Sequence, residues 1–153
     1  MNTLKKITVI CAIIFGSLLS AQSNMFLKRD FWGSKPSVED IKTQIKAGNN
    51  PSEANSNNFD GVVYAILQDA PTESIVYLMS QKGNDVNKLT HDGRTYIFWA
   101  AYKGNTDIVE YLLKNGAKTD LTDDKGNTII TFAAAAGQQN TEVYDLLIEA
   151  DKT

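Results

Sequence analysis

A block of sequence recurs at a spacing of 33 residues, and this repetition constrains the fold more than any other feature. Thr95 and Thr128 correspond at this spacing. The other matches are glycines and apolar residues: Gly83 with Gly116, Gly93 with Gly126, Gly104 with Gly137, Ile97 with Ile130, Ala100-Ala101 with Ala133-Ala134, and Ile75-Val76 with Ile108-Val109. A unit of this size cannot bury an apolar face alone, so we expect neighbouring units to stack into one continuous core.

Each unit is predicted to be a pair of short helices. Thr95 and Thr128 are of a residue type that caps helix N-termini, so a first helix is expected to begin after each of them. Gly104 and Gly137 stand where that helix must end and the chain must reverse. A second helix then carries apolar residues at helical spacing, and Asn115-Gly116 closes the unit in a turn that needs a positive φ.

The length and pattern of the unit resemble the ankyrin repeat. Residues 92–117 (DGRTYIFWAAYKGNTDIVEYLLKNGA) match that pattern best, and residues 83–87 (GNDVN) resemble the family's closing Gly-Ala-Asp-Val-Asn. The Pro-Leu-His of the family pattern is replaced by Tyr96-Ile97-Phe98 in one unit and by Ile129-Ile130-Thr131 in the next. The resemblance implies an all-α ankyrin-repeat solenoid of stacked helix-turn-helix units with short hairpin turns.

The repeat register divides the chain into three parts. Residues 1–21 are predicted to be a signal peptide, residues 22–36 an N-terminal capping segment, and residues 37–153 the ankyrin-repeat domain. Within that domain we expect a partial repeat at 37–57 and full units at 58–90, 91–123 and 124–153. In the 58–90 unit, Pro71 replaces the glycine between the helices and is suited to opening the second helix.

Two stretches depart from the repeat pattern. Residues 47–58 are rich in Asn and Ser and are interpreted as an enlarged hairpin loop, with a flexible linker as the alternative. Residues 25–34 (MFLKRDFWGS) are aromatic and basic. Their Phe26, Phe31 and Trp32 are predicted to cover the open end of the stack, and the alternative is an exposed docking segment.

The first 21 residues are typical of a bacterial-type secretory signal peptide. Lys5 and Lys6 precede thirteen uncharged residues, 7–19, and Ala21 offers a small residue for cleavage before Gln22. Thirteen residues are too short to cross about 30 Å of hydrocarbon, so no stable membrane insertion is expected after cleavage. We therefore expect an exported protein, periplasmic or extracellular. Lipid modification at Cys11 is a further alternative.

The charge balance argues against nucleic acid as a partner. Lys and Arg total 15 and Asp and Glu total 18, giving a net charge of -3. Cleavage after residue 21 would remove two lysines and no acidic residue, which takes the net charge to -5. Proteins that bind a duplex usually carry a basic stripe, and the sequence contains none.

The residue types needed for most metal sites are scarce. The chain has one Cys, Cys11, and one His, His91, which excludes zinc fingers and disulfide scaffolds. Residues 120–126 resemble a calcium loop superficially, but Lys125 and Thr131 stand where an EF-hand needs Gly and Glu. No metal and no cofactor are predicted.

Catalytic patterns are weak. The pair His91-Asp92 could orient a base, but it lies in a predicted turn with no nucleophile motif beside it. Trp99 and Phe132 hold equivalent positions, where an apolar residue usually packs between helices, although they could also form a ligand platform. A small exported hydrolase that uses carboxylates such as Asp92 and Asp124 remains the enzymatic alternative.

The resemblance instead implies a non-enzymatic module that binds another protein with its turn tips and first helices, which form a concave face. Transferring that surface by position predicts ten contact residues: Asn58, Phe59, His91, Asp92, Arg94, Tyr102, Lys103, Asp124, Lys125 and Asn127. Arg94 and Tyr102 are the first candidates, because Arg and Tyr are enriched in interface hot spots. Together with Lys103 they predict an acidic protein surface as the partner.

Overall fold

The computed structural model describes residues 23–152, so the predicted signal peptide and Cys11 lie outside the described residues. Within them the chain forms eight α-helices: α1 (Arg29–Gly33), α2 (Val38–Lys46), α3 (Gly61–Leu67), α4 (Thr72–Met79), α5 (Tyr96–Lys103), α6 (Thr106–Lys114), α7 (Ile129–Ala135) and α8 (Thr141–Ala150). Short 3-10 helices lie at Met25–Leu27 and His91–Gly93. This part of the chain has no β-strand, and the predicted all-α fold is confirmed.

The helices form two parallel rows. The first helices of the units, α3, α5 and α7, pack against one another in that order, and the second helices α2, α4, α6 and α8 make the other row. The middle of the stack is the most buried part, since residues 96–101 of α5 are all buried. In α7 only Ile129 and Ala133 are buried, because no further helix covers its outer side among the described residues. No helix of residues 23–152 is long and apolar enough to cross a bilayer.

Three equivalent hairpin turns precede the first helices. Each turn is closed by a backbone N–H that donates to the C=O four residues later: Asn55 to Phe59 (2.9 Å), Thr90 to Arg94 (2.8 Å), and Asp123 to Asn127 (2.9 Å). The second and third turns are 33 residues apart, as predicted, but the first and second are 35 residues apart. Asn58 and Phe59 therefore stand in the positions of Gly93 and Arg94, two places along from the predicted register.

The helix ends follow the sequence in part. Gly104 ends α5 in the left-handed conformation with a φ of 69°, as predicted. In the preceding unit Pro71 is the N-cap of α4, but the left-handed residue is Asp69, with a φ of 50°. Asp69 is one of the few residue types besides glycine that visits this region. Asp69 therefore adopts the left-handed conformation that Gly104 adopts after α5, and Pro71 serves only as the N-cap of α4.

The segment before α2 is anchored by aromatic side chains. Phe26 and Trp32 are fully buried, and the Trp32 indole Nε1 donates to the backbone oxygen of Phe26 at 2.8 Å. Both the 3-10 helix and α1 pack against α3. A Cβ at Gly61 would lie 2.9 Å from that of Phe26, so glycine permits this close approach. The segment thus reaches the first-helix row, where the candidate site lies.

Candidate functional site

Aromatic rings from successive units form a continuous row along the turns and first helices. Phe59 stacks on His91, with 4.3 Å between ring centroids, and lies 5.6 Å from Trp99. Trp99 in turn lies 5.7 Å from Phe132, and Tyr102 stacks on Phe132 at 5.5 Å. The row joins three units that are far apart in sequence. Trp99 and Phe132, recognised in the sequence only as equivalent positions, lie at its centre.

One side of this row opens into a groove of about 380 Å³, which we call the aromatic groove. Its lining comes from α1, the first turn, α3 and α5: Arg29, Phe59, Leu67, Gln68, Trp99, Tyr102 and Lys103. The volume lies near the lower end of the range of about 300–1,000 Å³ that is usual for ligand pockets. The lining combines apolar residues with two cations, Arg29 and Lys103, and contains no carboxylate.

Arg29 is the charged residue of this groove that sequence reasoning missed as a contact residue. Its guanidinium carbon lies 5.4 Å from the ring centroid of Tyr64, and its side chain forms no ion pair within residues 23–152. It belongs to the capping segment, outside the repeat, so transfer by repeat position could not select it. The signal that could have found it is the basic and aromatic composition of residues 25–34.

Tyr102 and Lys103 reach the groove from the last turn of α5. Tyr102 is 38% exposed. The Lys103 ammonium lies 2.9 Å from a carboxylate oxygen of Asp69, whose side chain is 62% exposed. This ion pair is open to water and contributes little to stability. Both residues are therefore available for contact with another molecule.

Arg94 requires a correction. It is only 5% exposed, and its Nε and Nη2 both donate to Asp123, at 3.0 and 2.8 Å. Its guanidinium carbon also lies 4.0 Å from the ring centroid of Phe132. The planar guanidinium fits the buried carboxylate and the ring at once. The prediction that Arg94 presents its guanidinium to a partner is wrong, because the side chain instead joins the second turn to the third turn and to α7.

The other predicted turn residues are largely engaged with each other. Asp92 lies between the cations of Arg94 and Lys125, and the hydrogen bond from Lys125 lowers the pKa of the Asp92 carboxyl. His91 places its Nδ1 2.8 Å from the backbone oxygen of Asn57. A general acid needs a raised pKa, so Asp92 gives no support to the hydrolase alternative.

Asn127, another predicted contact residue, is held inside the third turn by hydrogen bonds to Asp123. Its backbone and side-chain N–H groups donate to Asp123, at 2.8 Å to Oδ1 and 3.1 Å to Oδ2. Burial raises the pKa of Asp123, but the bonds from Asn127, Arg94 and Lys125 outweigh this and lower it to about 2. Sequence reasoning missed Asp123, while Asn58 and Asp124, which it selected, are both exposed.

Residues 62–153 match the family model of ankyrin repeats, in three copies. The chain belongs to the ankyrin-repeat family. Members of this family are generally non-catalytic scaffolds that bind other proteins.

Several curated proteins are similar to this ankyrin chain. It is 35% identical over 81 residues to the phosphocholine transferase AnkX of Legionella pneumophila, covering 52% of this chain and 8% of that protein. It is 32% identical over 103 residues to ankyrin repeat and SAM domain-containing protein 6 of Rattus norvegicus, covering 66% and 12%. Against neurogenic locus notch homolog protein 1 of Xenopus laevis the identity is 31% over 91 residues, covering 59% and 4%. The chain spans about a tenth or less of these relatives.

Proposed function

We propose that this chain is a non-catalytic protein-binding module that acts outside the cytoplasm and holds its partner on the aromatic groove. The observation that carries the proposal is the groove itself, where the solvent-exposed Tyr102 lies beside Trp99 and two cations, Arg29 and Lys103, share the lining. Tyr, Trp and Arg are the residue types in which binding energy concentrates. The charged turn residues Asp92 and Arg94 are engaged inside the stack, so they support the surface more than they contact a partner.

Binding is tested with the immobilised protein and the extracellular and periplasmic fractions of its host. A captured protein is purified, and its affinity is measured for the unmodified chain and for Tyr102→Ala. We expect the dissociation constant to rise about tenfold or more in this variant, as for a hot-spot residue. Ile148→Ala is the matched control, since Ile148 is an exposed apolar residue on α8, outside the groove. Equal affinity of both variants would move the site away from the groove.

The location outside the cytoplasm rests on the charged start, the uncharged run at 7–19 and the small residue Ala21. Cleavage predicts a mature chain that begins near Gln22. Intact-mass measurement of the protein recovered from its native host checks this. A mass that retains residues 1–21, with the protein in the cytosol, would contradict the proposed location.

A further inference from the structure

We infer that the aromatic groove takes an extended segment of a partner protein in which one bulky apolar side chain stands between Asp or Glu residues. This inference rests on the proposed function and adds the chemistry of the partner. It follows from three observations: the apolar residues in the lining of the groove, the two cations in that lining, and the net negative charge of the chain as a whole.

The floor of the groove is apolar where it faces the solvent. The indole Nε1 of Trp99 donates to the hydroxyl of Thr90 at 2.8 Å, so the polar edge of this ring is already satisfied inside the protein. Phe59 packs 5.6 Å away and closes one wall. Trp99 itself is only 5% exposed, so the carbon surface comes from the half-buried Phe59 and Leu67 and from the ring of Tyr102, and an aliphatic or aromatic side chain can cover it without stranding a polar group.

Three donor groups belong to residues that line the groove: the guanidinium of Arg29, the hydroxyl of Tyr102 and the ammonium of Lys103. Arg29 has no carboxylate partner within residues 23–152, and the hydroxyl of Tyr102 donates no hydrogen bond to that part of the chain. Lys103 has only the exposed Asp69, which an incoming carboxylate can replace on the ammonium. Guanidinium, ammonium and phenol are all donors, so the groove selects acceptors. Carboxylates on both sides of the apolar side chain match this arrangement.

The net charge of the whole chain restricts where an acidic segment can bind. The net charge is -3, and -5 after the predicted cleavage, so an acidic segment is repelled by most of the surface and attracted at the groove. A single-stranded nucleic acid would need a longer track of cations and open aromatic faces for its bases. The groove has two cations, and Trp99 is only 5% exposed. A protein segment therefore fits the groove better than a nucleic acid.

The test uses the purified protein and short fluorescein-labelled peptides in a fluorescence anisotropy titration. The probe has a central Leu flanked by Asp and Glu. One comparison peptide has Ser for the Leu, and a second has Lys for every acidic residue. We expect saturable binding of the probe, about tenfold weaker binding of the Ser peptide because Leu burial is lost, and no saturable binding of the Lys peptide. Higher salt should weaken the probe's binding.

Variants of the protein locate the contacts. Arg29→Gln should raise the dissociation constant of the probe about threefold to fivefold and reduce its salt dependence. Tyr102→Ala should raise it about tenfold. The control is Lys82→Gln, an exposed lysine outside the groove, whose effect should stay within about twofold. If Tyr102→Ala lowers the melting temperature, its affinity is not used, and the dissociation constants of Arg29→Gln and Lys103→Gln alone decide whether the probe binds in the groove.

Several outcomes would overturn the inference: no saturable binding of the probe, equal binding of the Ser or Lys peptide, tighter binding of a single-stranded oligonucleotide, or equal effects of Arg29→Gln and Lys82→Gln. A captured partner whose affinity falls in Tyr102→Ala while the acidic probe fails to bind would leave the proposed function standing and reject this chemistry. Failure of both the capture and the probe would reject the two together.

Discussion

Thr95 and Thr128 hold equivalent positions before α5 and α7, but their hydroxyl groups have different environments. The Thr128 hydroxyl accepts a bond from the backbone N–H of Thr131 at 3.2 Å and caps the helix. The Thr95 hydroxyl is buried and has no hydrogen-bond partner within residues 23–152, so the cap predicted there is absent. The bulky Tyr96 and Phe98 that replace the family's usual residues are fully buried beside it.

This difference predicts opposite effects of the same substitution. Thr128→Val should lower the free energy of unfolding by about 1 kcal/mol, because a helix cap is lost. Thr95→Val should leave it unchanged or raise it, because the substitution removes a buried unpaired hydroxyl at nearly constant volume. Urea denaturation measures both. A loss at Thr95→Val as large as that at Thr128→Val would contradict the assignment.

The buried carboxylate of Asp123 makes stability depend on pH. The pKa of Asp123 is lowered to about 2 in the folded chain, from an ordinary value of 3.8. Its contribution is therefore present above about pH 4 and is lost as the pH falls toward 2. Asp123→Asn should flatten the fall in free energy of unfolding over this range. At neutral pH the same variant should lower the free energy of unfolding by about 1–3 kcal/mol, since the buried Arg94 loses one of its two carboxylate partners and keeps Asp92.

The neighbouring Asp124 provides the control at neutral pH. Its side chain is exposed, so Asp124→Asn should change the free energy of unfolding by no more than about 0.5 kcal/mol. Denaturant melts at a series of pH values give both comparisons. An Asp123→Asn variant whose stability follows the parent chain in parallel between pH 4 and 2 would show that this carboxyl does not carry the dependence.

At the residue scale, the sequence predicts where a residue lies in the repeat better than it predicts which residues surround its side chain. The sequence predicts Arg94 beside the second turn, but its burial depends on Asp123 and Phe132, which lie in the third turn and in α7. Repeat spacing cannot show such a pairing, because Asn127 stands in the equivalent place one unit later and makes a different set of bonds. The environment of Arg94 is set by residues of the next turn and helix, and these residues differ from one repeat to the next.

At the scale of helices, Leu112 tests the register of the stack. It is fully buried in α6, which packs against α4, α5 and α8. Leu112→Ala should therefore cost about 2–5 kcal/mol as a large-to-small core substitution. Lys103→Gln removes one water-exposed ion pair and should cost within about 0.5 kcal/mol. If denaturant melts ranked these variants the other way round, the helix register would be wrong.

Helix boundaries were predictable where glycine marks them. Gly104 and Gly116 have positive φ in the structure, as their places in the repeat predicted. Asn58 and Asp69 also adopt positive φ, and the sequence did not reveal this, because both residue types are common in ordinary loops as well. The two extra residues between the first and second turns likewise have no mark in the sequence pattern.

At the scale of the whole molecule, stability should fall toward α7 and α8. The buried residues of these two helices are few, Ile129, Ala133, Val143 and Leu147, whereas residues 61–66 of α3 are buried throughout. Because a repeat stack opens from its less protected units, we expect amides of α7 and α8 to exchange with deuterium faster than those of α3 and α5. Hydrogen-exchange mass spectrometry on the intact chain measures this, and uniform protection along the stack would contradict it.

The sequence predicts the solenoid as a whole, because glycines and alanines that recur every 33 residues indicate helical units of equal length that stack on one another. The aromatic groove was predictable only in part. Phe59, Tyr102 and Lys103 belong to the repeat and were selected, whereas Arg29 comes from a segment without that period and Trp99 was assigned chiefly to packing. A surface that joins a repeat to a non-repeating segment can be recognised only once the two are brought together in space.

The contact of Arg94 with Asp123 and Phe132 has a consequence for how such arrays can be recombined. The guanidinium of Arg94 lies beside the second turn, whereas the carboxylate of Asp123 and the ring of Phe132 lie in the third turn and in α7. Exchanging the third turn and α7 for elements without an acid and an aromatic at these places would leave the buried guanidinium with Asp92 as its remaining carboxylate partner. The second turn and the third turn with α7 are therefore a matched pair, and an engineered array has to transfer them together.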